Sequence, residues 1–322
     1  VPAVTSTLHV AVLDDYQGVA AEAGWSGVPG RVEVEGLRRH IGDPDELAET
    51  LQPFDVVVAM RERTPLGAAL FDRLPNLRLV VTTGPMNAAI DMAAAAERGI
   101  VVSGTGGYVT PTSELTWALI LAVQRHVPAE DAAIRSGGWQ HTLGRDLAGR
   151  RLGVVGLGRL GSLVAEVGRA FRMDVVAWSQ NLTDERAAEA GARRVAKDEL
   201  FATSDVVSIH LVLSNRTRGL VGERELRAMK PTAILVNTSR GPIVDEPALV
   251  RALDEGWIAG AGLDVFDQEP LPADHPLRTA PRTVLSPHVG YVTDGLYEVF
   301  YREIVEDVAA FAAGTPIRVI TP

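Results

Sequence analysis

Three polar residues stand just beyond apolar, strand-like runs in the second half of the chain. They are Arg240 in "AILVNTSRGPIVDE", Glu269 in "AGLDVFDQEPLP" and His288 in "TVLSPHVGY". Open α/β sheets bind ligands beyond the carboxyl ends of their strands, so such positions invite a chemical reading. Arg240 can grip a carboxylate with a forked, charge-assisted pair and polarise a neighbouring carbonyl. His288 can take a hydroxyl proton as hydride leaves, or return it during reduction. Glu269 close to that imidazole would orient the ring and favour its protonated form. The set suits interconversion of a 2-keto acid and a 2-hydroxy acid, with a cofactor carrying the hydride. Plainer roles compete: Arg240 as a helix cap or ion-pair partner, Glu269 in an exposed turn before Pro270, His288 as one structural histidine among seven. No principle fixes these separations in sequence, so spacing alone leaves both open.

A hydride reaction needs a carrier, and "RLGVVGLGRLGSLVAEVGRAF" has the form of a seat for one. Gly156, Gly158 and Gly161 keep the G-x-G-x-x-G spacing between a strand-like run and a helical pattern, with the strand "DVVAW" following. In that setting Gly156 permits a tight turn, Gly158 lets a pyrophosphate approach the backbone, and Gly161 lets helix and strand pack closely. The helix start offers N–H groups and a positive dipole end to phosphates. Arg159 is either a further phosphate partner or a solvated surface residue. An acid commonly follows about 20 residues on, where it binds the adenosine ribose and repels a 2′-phosphate. Here the strand ends in Trp178-Ser179-Gln180-Asn181, with no acid before Asp184. Ser179 takes the ribose position, Gln180, Asn181 and Thr183 are neutral, and Arg186 reaches a phosphate only if it turns inward. The cofactor is therefore NAD or NADP, with the usual selection against NADP expected to be absent.

Other chemistries find little support. There is no G-x-S-x-G elbow and no H-E-x-x-H, and the absence of cysteine removes thiol catalysis and thiolate metal sites. No metal is expected. A net charge of −10 argues against nucleic-acid affinity and leaves an anionic ligand to a few placed cations. No apolar run is long enough for a membrane helix, and "VPAVTSTLHVAVLDDY" lacks the features of a signal peptide, so a cytoplasmic protein is expected.

To hold these residues, the chain alternates short β-branched runs with helical stretches. "HVAVL", "DVVVAM", "LRLVVT" and "IVVSG" precede a second series: "RLGVVG", "DVVAW", "DVVSIHL", "AILVN", "AGLDV" and "TVLSP". This pattern predicts α/β architecture: two Rossmann-like or flavodoxin-like doubly wound parallel-sheet domains with a cleft between them. Two long helical patterns link the sheets, one with Thr110 as N-cap and Pro111 in its first turn, the other from Thr293 to Gly314. The final "TPIRVITP" reads as an extended return. The expected domains are residues 1–104 with 291–322, binding substrate, and residues 105–290, binding the dinucleotide.

The motifs "VVGLGRLGS", "SDVVSIHLVLSNRTRGLVG", "MKPTAILVNTSRGPIVDEPALVRAL", "AGLDVFDQEPLP" and "SPHVG" carry a closer likeness. Through them the chain resembles the D-isomer-specific 2-hydroxyacid dehydrogenase family over essentially its whole length. The resemblance implies Arg240 as the substrate-binding catalytic arginine, His288 as acid/base and Glu269 as its partner. It implies cofactor contacts at Arg159, Leu160, Thr238, Ser239, Arg240, Asp264, His288 and Gly290. His210 and Leu211 fall in the family's adenine-side loop, where Val212 stands in place of the usual proline. "VVTTGPMNAAID" looks like the family's substrate loop, with backbone N–H groups around Thr83 and Gly84 meeting the carboxylate, although Pro85 removes one donor. Arg61 and Tyr108 either face the same cleft or have structural or surface roles, and Tyr291 is a further candidate for shaping the pocket. The function so implied is a reductase of small 2-keto acids to D-2-hydroxy acids. Alternatives are formate or phosphite oxidation, against which Glu269 argues because a formate dehydrogenase would carry Gln there, and a dinucleotide-sensing corepressor that binds partner proteins. Members of the family are usually homodimers, and "LILAVQRHVPAEDAAIRSGGWQHTLGRDLAG" suits either such an interface or internal packing.

Overall fold

The computed structural model describes residues 6–321. Residues 1–5, part of the stretch read for signal-peptide features, and Pro322 of the extended return lie outside the described residues. The chain divides into two compact units: residues up to Tyr108 together with those from Thr293, and Val109–Val292.

In the first unit β1 (Leu8–Val12), β2 (Val32–Gly36), β3 (Val56–Ala59), β4 (Leu79–Thr82) and β5 (Val101–Gly104) form a parallel sheet in the order β2-β1-β3-β4-β5. Strands β3 and β4 are buried along their whole length, which is why they read as unbroken apolar runs. β2 alternates Val with Glu and half-faces solvent, as an edge strand does. Helices α1 (Pro44–Leu51), α2 (Ala68–Phe71) and α3 (Met92–Glu97) connect the strands. Asp43 caps α1 by accepting from the N–H groups of Asp45 and Glu46 at 2.9 Å.

The second unit opens with α4 (Thr110–Gln124) and α5 (Val127–Arg135). Pro111 lies in the first turn of α4 as expected, but Thr110 is already helical and Val109 holds the cap position. Strands β6 (Arg151–Val155), β7 (Asp174–Trp178), β8 (Arg193–Arg194), β9 (Val206–Ile209), β10 (Ile234–Asn237), β11 (Gly260–Leu263) and β12 (Thr283–Leu285) then build a parallel sheet in the order β12-β11-β10-β9-β6-β7-β8. They alternate with α6 (Arg159–Ala170), α7 (Asp184–Glu189), α8 (Lys197–Thr203), α9 (Glu223–Ala228) and α10 (Glu246–Asp254). Alternate residues of the strands feed two apolar cores, one around Phe201, Leu226 and Leu249, the other around Trp117, Ile120 and Val164. Each large side chain fully buried there contributes about 1.5–3 kcal/mol. The winding reverses between β6 and β9, where open α/β sheets bind ligands. Gly260 and Gly262 on β11 let α4 approach closely: a Cβ on Gly262 would stand 3.0 Å from that of Leu119.

The chain returns to the first unit as α11 (Asp294–Ala312), with Thr293 at its cap accepting from the Leu296 N–H. Beyond it the tail runs along β5: Ile320 N–H donates to the Val102 carbonyl at 2.8 Å, and Gly104 N–H to that of Arg318 at 3.1 Å.

Candidate active site

Arg240, Glu269 and His288 leave the carboxyl ends of three neighbouring strands. Asn237 on β10 is paired with Leu263 on β11, and Leu263 with Leu285 on β12, so the three loops start level with one another. The Arg240 turn is held by Asn237, whose amide donates to the Arg240 carbonyl and whose Oδ1 accepts from Ser239 N–H, both at 3.0 Å. The next residue, Gly241, lies so near Phe266 that an added Cβ would fall 2.1 Å from the Phe266 carbonyl carbon. Phe266 N–H in turn donates to Glu269 Oε1 at 3.0 Å. The other oxygen, Glu269 Oε2, lies 2.5 Å from His288 Nδ1. One continuous set of contacts thus joins the arginine turn, the carboxylate and the imidazole. Gly241→Ala is expected to destabilise the chain by about 1–3 kcal/mol, because the clash is with backbone. Thermal unfolding checks this, and an unchanged midpoint would contradict the close packing.

The His288 loop is braced from behind. Asp264, fully buried, accepts from Ser286 Oγ at 2.6 Å and from the N–H groups of Val289 and Gly290 at 2.9 Å. Burial pushes the Asp264 carboxyl up, against the downward pull of these donors. Asp264 is therefore engaged in fixing the loop that carries His288. His288 itself has φ +54°, a left-handed conformation costly for a residue with a side chain, and the Tyr291 ring meets its ring edge-on at 5.9 Å between centroids. Thr112 Oγ1, at the start of α4, donates to the Gly290 carbonyl at 3.0 Å, and Thr116 Oγ1 lies 2.8 Å from Thr238 Oγ1. Sequence reasoning did not single out Asn237, Ser286, Thr112 or Thr116, whose types read equally well as turn and helix-start residues.

The glycine loop fits a dinucleotide. Gly156 has φ +103°, and a Cβ there would stand 2.7 Å from the His210 carbonyl oxygen, so the His210–Leu211 loop lies against it. A Cβ on Gly161 would fall 2.1 Å from the Gly156 carbonyl oxygen, whereas one on Gly158 would meet nothing within 4 Å. Helix and strand are thus packed tightly while the space over Gly158 stays open. No side chain caps the helix start at Gly158, which leaves the amides of Arg159, Leu160 and Gly161 for another acceptor. Arg159 is exposed and Leu160 half-buried. Ser239 Oγ bonds the Leu211 carbonyl, drawing the Arg240 turn to the same edge. His210 has its Nε2 2.8 Å from Ser208 Oγ and its Nδ1 buried without a partner in the protein, and burial lowers its pKa to about 3, so it stays neutral. At the end of β7 the Trp178 carbonyl accepts from Gly156 N–H at 2.8 Å, which places Ser179 beside the first glycine. Ser179 is half-buried, and Gln180 and Asn181 are exposed. Thr183 is committed to capping α7, and Asp184 lies 3.6 Å from Arg194.

The residues expected at the substrate loop lie in the first unit. Arg61, at φ +57°, donates its N–H to Thr83 Oγ1 at 2.9 Å and its guanidinium to the Thr83 carbonyl at 3.2 Å. Thr83 is fully buried, so it supports Arg61. Gly84 N–H, expected to meet a carboxylate, already donates to Thr105 Oγ1 at 2.8 Å. Thr83 N–H likewise donates to the Ala59 carbonyl at 3.0 Å, and Pro85 has no N–H to offer. Asn87, not foreseen, donates to the Arg61 carbonyl at 2.7 Å. Tyr108 is exposed. Among the described residues no helix is long and apolar enough to cross a membrane, and no cluster of His, Cys, Asp or Glu is gathered to hold a metal ion.

Residues 117–290 match the model of the D-isomer specific 2-hydroxyacid dehydrogenase, NAD binding domain. The chain belongs to that family. It is 42% identical over 281 residues to the glyoxylate reductase of Aeropyrum pernix, covering 81% of this chain and 84% of the relative. It is 34% identical to the D-3-phosphoglycerate dehydrogenase of Bacillus subtilis over 88% of this chain, which spans 54% of that longer protein. Among solved structures, the phosphoglycerate oxidoreductase of Vibrio cholerae superposes with a TM-score of 0.91 at 37% identity, over 95% of this chain and 99% of that one. The chain is thus a 2-hydroxyacid oxidoreductase with a nicotinamide dinucleotide cofactor.

Proposed function

We propose that the chain reduces small 2-keto acids, glyoxylate among them, to D-2-hydroxy acids, with NADH or NADPH as donor. The observation that carries this reading is the Glu269 Oε2 to His288 Nδ1 contact, built on the loop beside the Arg240 turn. Arg240 holds the substrate carboxylate and draws electron density from the adjoining ketone. The bound nicotinamide supplies a hydride for the carbonyl carbon. His288 delivers a proton from Nε2 to the carbonyl oxygen as the carbon–oxygen double bond becomes single. Glu269 keeps the Nδ1 proton in place and stabilises the charged ring; in the oxidative direction His288 takes the hydroxyl proton back. Thr238, Ser239, His210 and Leu211 are assigned to the cofactor with the glycine loop, and Gly290 and Asp264 hold the wall that carries His288. Similarity to glyoxylate reductases supports a small substrate. A panel of 2-keto acids, formate, phosphite and 3-phosphoglycerate assayed with both dinucleotides tests the reading. Turnover of none of them, with cofactor still bound, would favour the corepressor alternative.

The neutral stretch at Ser179-Gln180-Asn181 supports use of both dinucleotides. KM for NADPH is expected to lie within about tenfold of that for NADH, since no carboxylate at the strand end repels a 2′-phosphate. A preference for NADH beyond about a hundredfold would contradict this.

A homodimer is proposed as well. Val127 and Ile134 on α5, and Trp139 and Leu143 after it, are exposed, with Leu143 at 91%. The segment is pinned to α5 through Thr142 and Glu130, so these apolar side chains are presented on an ordered arm. Sedimentation at low micromolar concentration should give twice the chain mass; a monomer would exclude the dimer.

A further inference from the structure

The carboxyl end of the first unit's sheet holds a cavity of about 260 Å³ that the reaction above does not use. The order β2-β1-β3 makes the winding reverse between β1 and β3, where open α/β sheets form a ligand crevice. Three loops meet there, bringing Asp14 from after β1, His40 from after β2 and Thr64 from after β3. Asp14, only 2% exposed, has Oδ1 at 3.0 Å from His40 Nδ1, and its Oδ2 accepts from Thr64 Oγ1 at 3.0 Å. With Nδ1 held by Asp14, Nε2 is the nitrogen left to face a ligand. The Cδ2–Nε2 edge of the ring comes within 3.7 Å of where a Cβ on Gly42, another lining residue, would stand.

The rest of the wall defines the ligand. Arg73 adds a guanidinium, paired at 2.5 Å with Asp45 and still 42% exposed. Ile41, Leu47 and Leu70 supply apolar surface, and among the described residues no carboxylate lines the space. Thr64 gives its hydroxyl proton to Asp14, so the Arg73 guanidinium is the donor, and together with the aliphatic walls it selects an anion with a hydrocarbon tail. The volume falls below the roughly 300 Å³ at which pockets for drug-sized ligands begin, so that ligand is small.

We propose that this cavity is a second binding site, taking a short branched aliphatic carboxylate. Binding is read directly, so the site stands or falls separately from the proposed activity. The test titrates the full chain with 3-methylbutanoate and follows methyl resonances of Ile41, Leu47 and Leu70 and the ring resonances of His40. Expected are saturable shifts at all four by about 50 mM ligand. Ala69→Trp fills the rim from an exposed position and should weaken binding about tenfold or more. Arg73→Gln, a surface change, should weaken it as well, whereas Arg240→Ala should leave it unaltered. Absence of saturable shifts at these residues would overturn the proposal, as would weakening by Arg240→Ala with none by Ala69→Trp or Arg73→Gln.

Discussion

His288→Ala is expected to lower kcat for 2-keto acid reduction by about 10²–10⁴-fold, the range a positioned proton donor contributes. The loss should fall on kcat, because the alkoxide that develops in the transition state no longer receives its proton. Dinucleotide affinity should hold, since the glycine loop lies at β6 and its packing partners are the His210–Leu211 loop and α6. Stability should also hold: the Asp264 brace contacts the Val289 and Gly290 backbone and Ser286, and alanine leaves those bonds in place. A fluorescence titration with NADH and a turnover assay on the same sample separate the two quantities. A variant that binds cofactor and turns over within about tenfold of the parent would remove His288 from the chemistry.

Arg240→Lys should be nearly as damaging despite the retained charge. Lysine offers a compact ammonium in place of a planar fork, so bidentate capture of a carboxylate is lost. A charged group left without its full partner costs about 3 kcal/mol, or about 10²-fold in kcat/KM. Both constants should move: KM rises because the carboxylate is held less firmly, and kcat falls because the ketone is less polarised and less well aligned. The Asn237 bonds go to backbone at residues 239 and 240, so the turn itself should survive the change. A rise in KM with kcat untouched would reduce Arg240 to a binding role.

The glycine loop was legible in the sequence because each glycine answers a separate steric demand. The structure shows two of those demands as backbone approaches at Gly156 and Gly161, and open space at Gly158. Most strands were legible because parallel sheets bury both faces and leave unbroken apolar runs. β2 was not, since its Val–Glu alternation is that of a half-exposed edge, and β8 is only two residues long. Arg240, Glu269 and His288 were readable as residue types at strand ends, but their proximity was not. It depends on level registers across β10, β11 and β12 and on Gly241 meeting Phe266, neither of which spacing encodes. The bracing by Asp264, Thr112 and Thr116 was hidden for the same reason. In the substrate loop, a glycine-rich turn suggested available N–H groups; the fold gives Gly84's to Thr105.

The mechanism depends on where a 2-keto acid sits relative to the imidazole. A crystal structure of the chain with NADH and oxamate, an unreactive 2-keto acid analogue, measures this. The predicted result has the oxamate carboxylate forked on Arg240 and its amide carbonyl oxygen within hydrogen-bond distance of His288 Nε2. Oxamate bound with Nε2 directed away from it, or bound without Arg240, would contradict the mechanism.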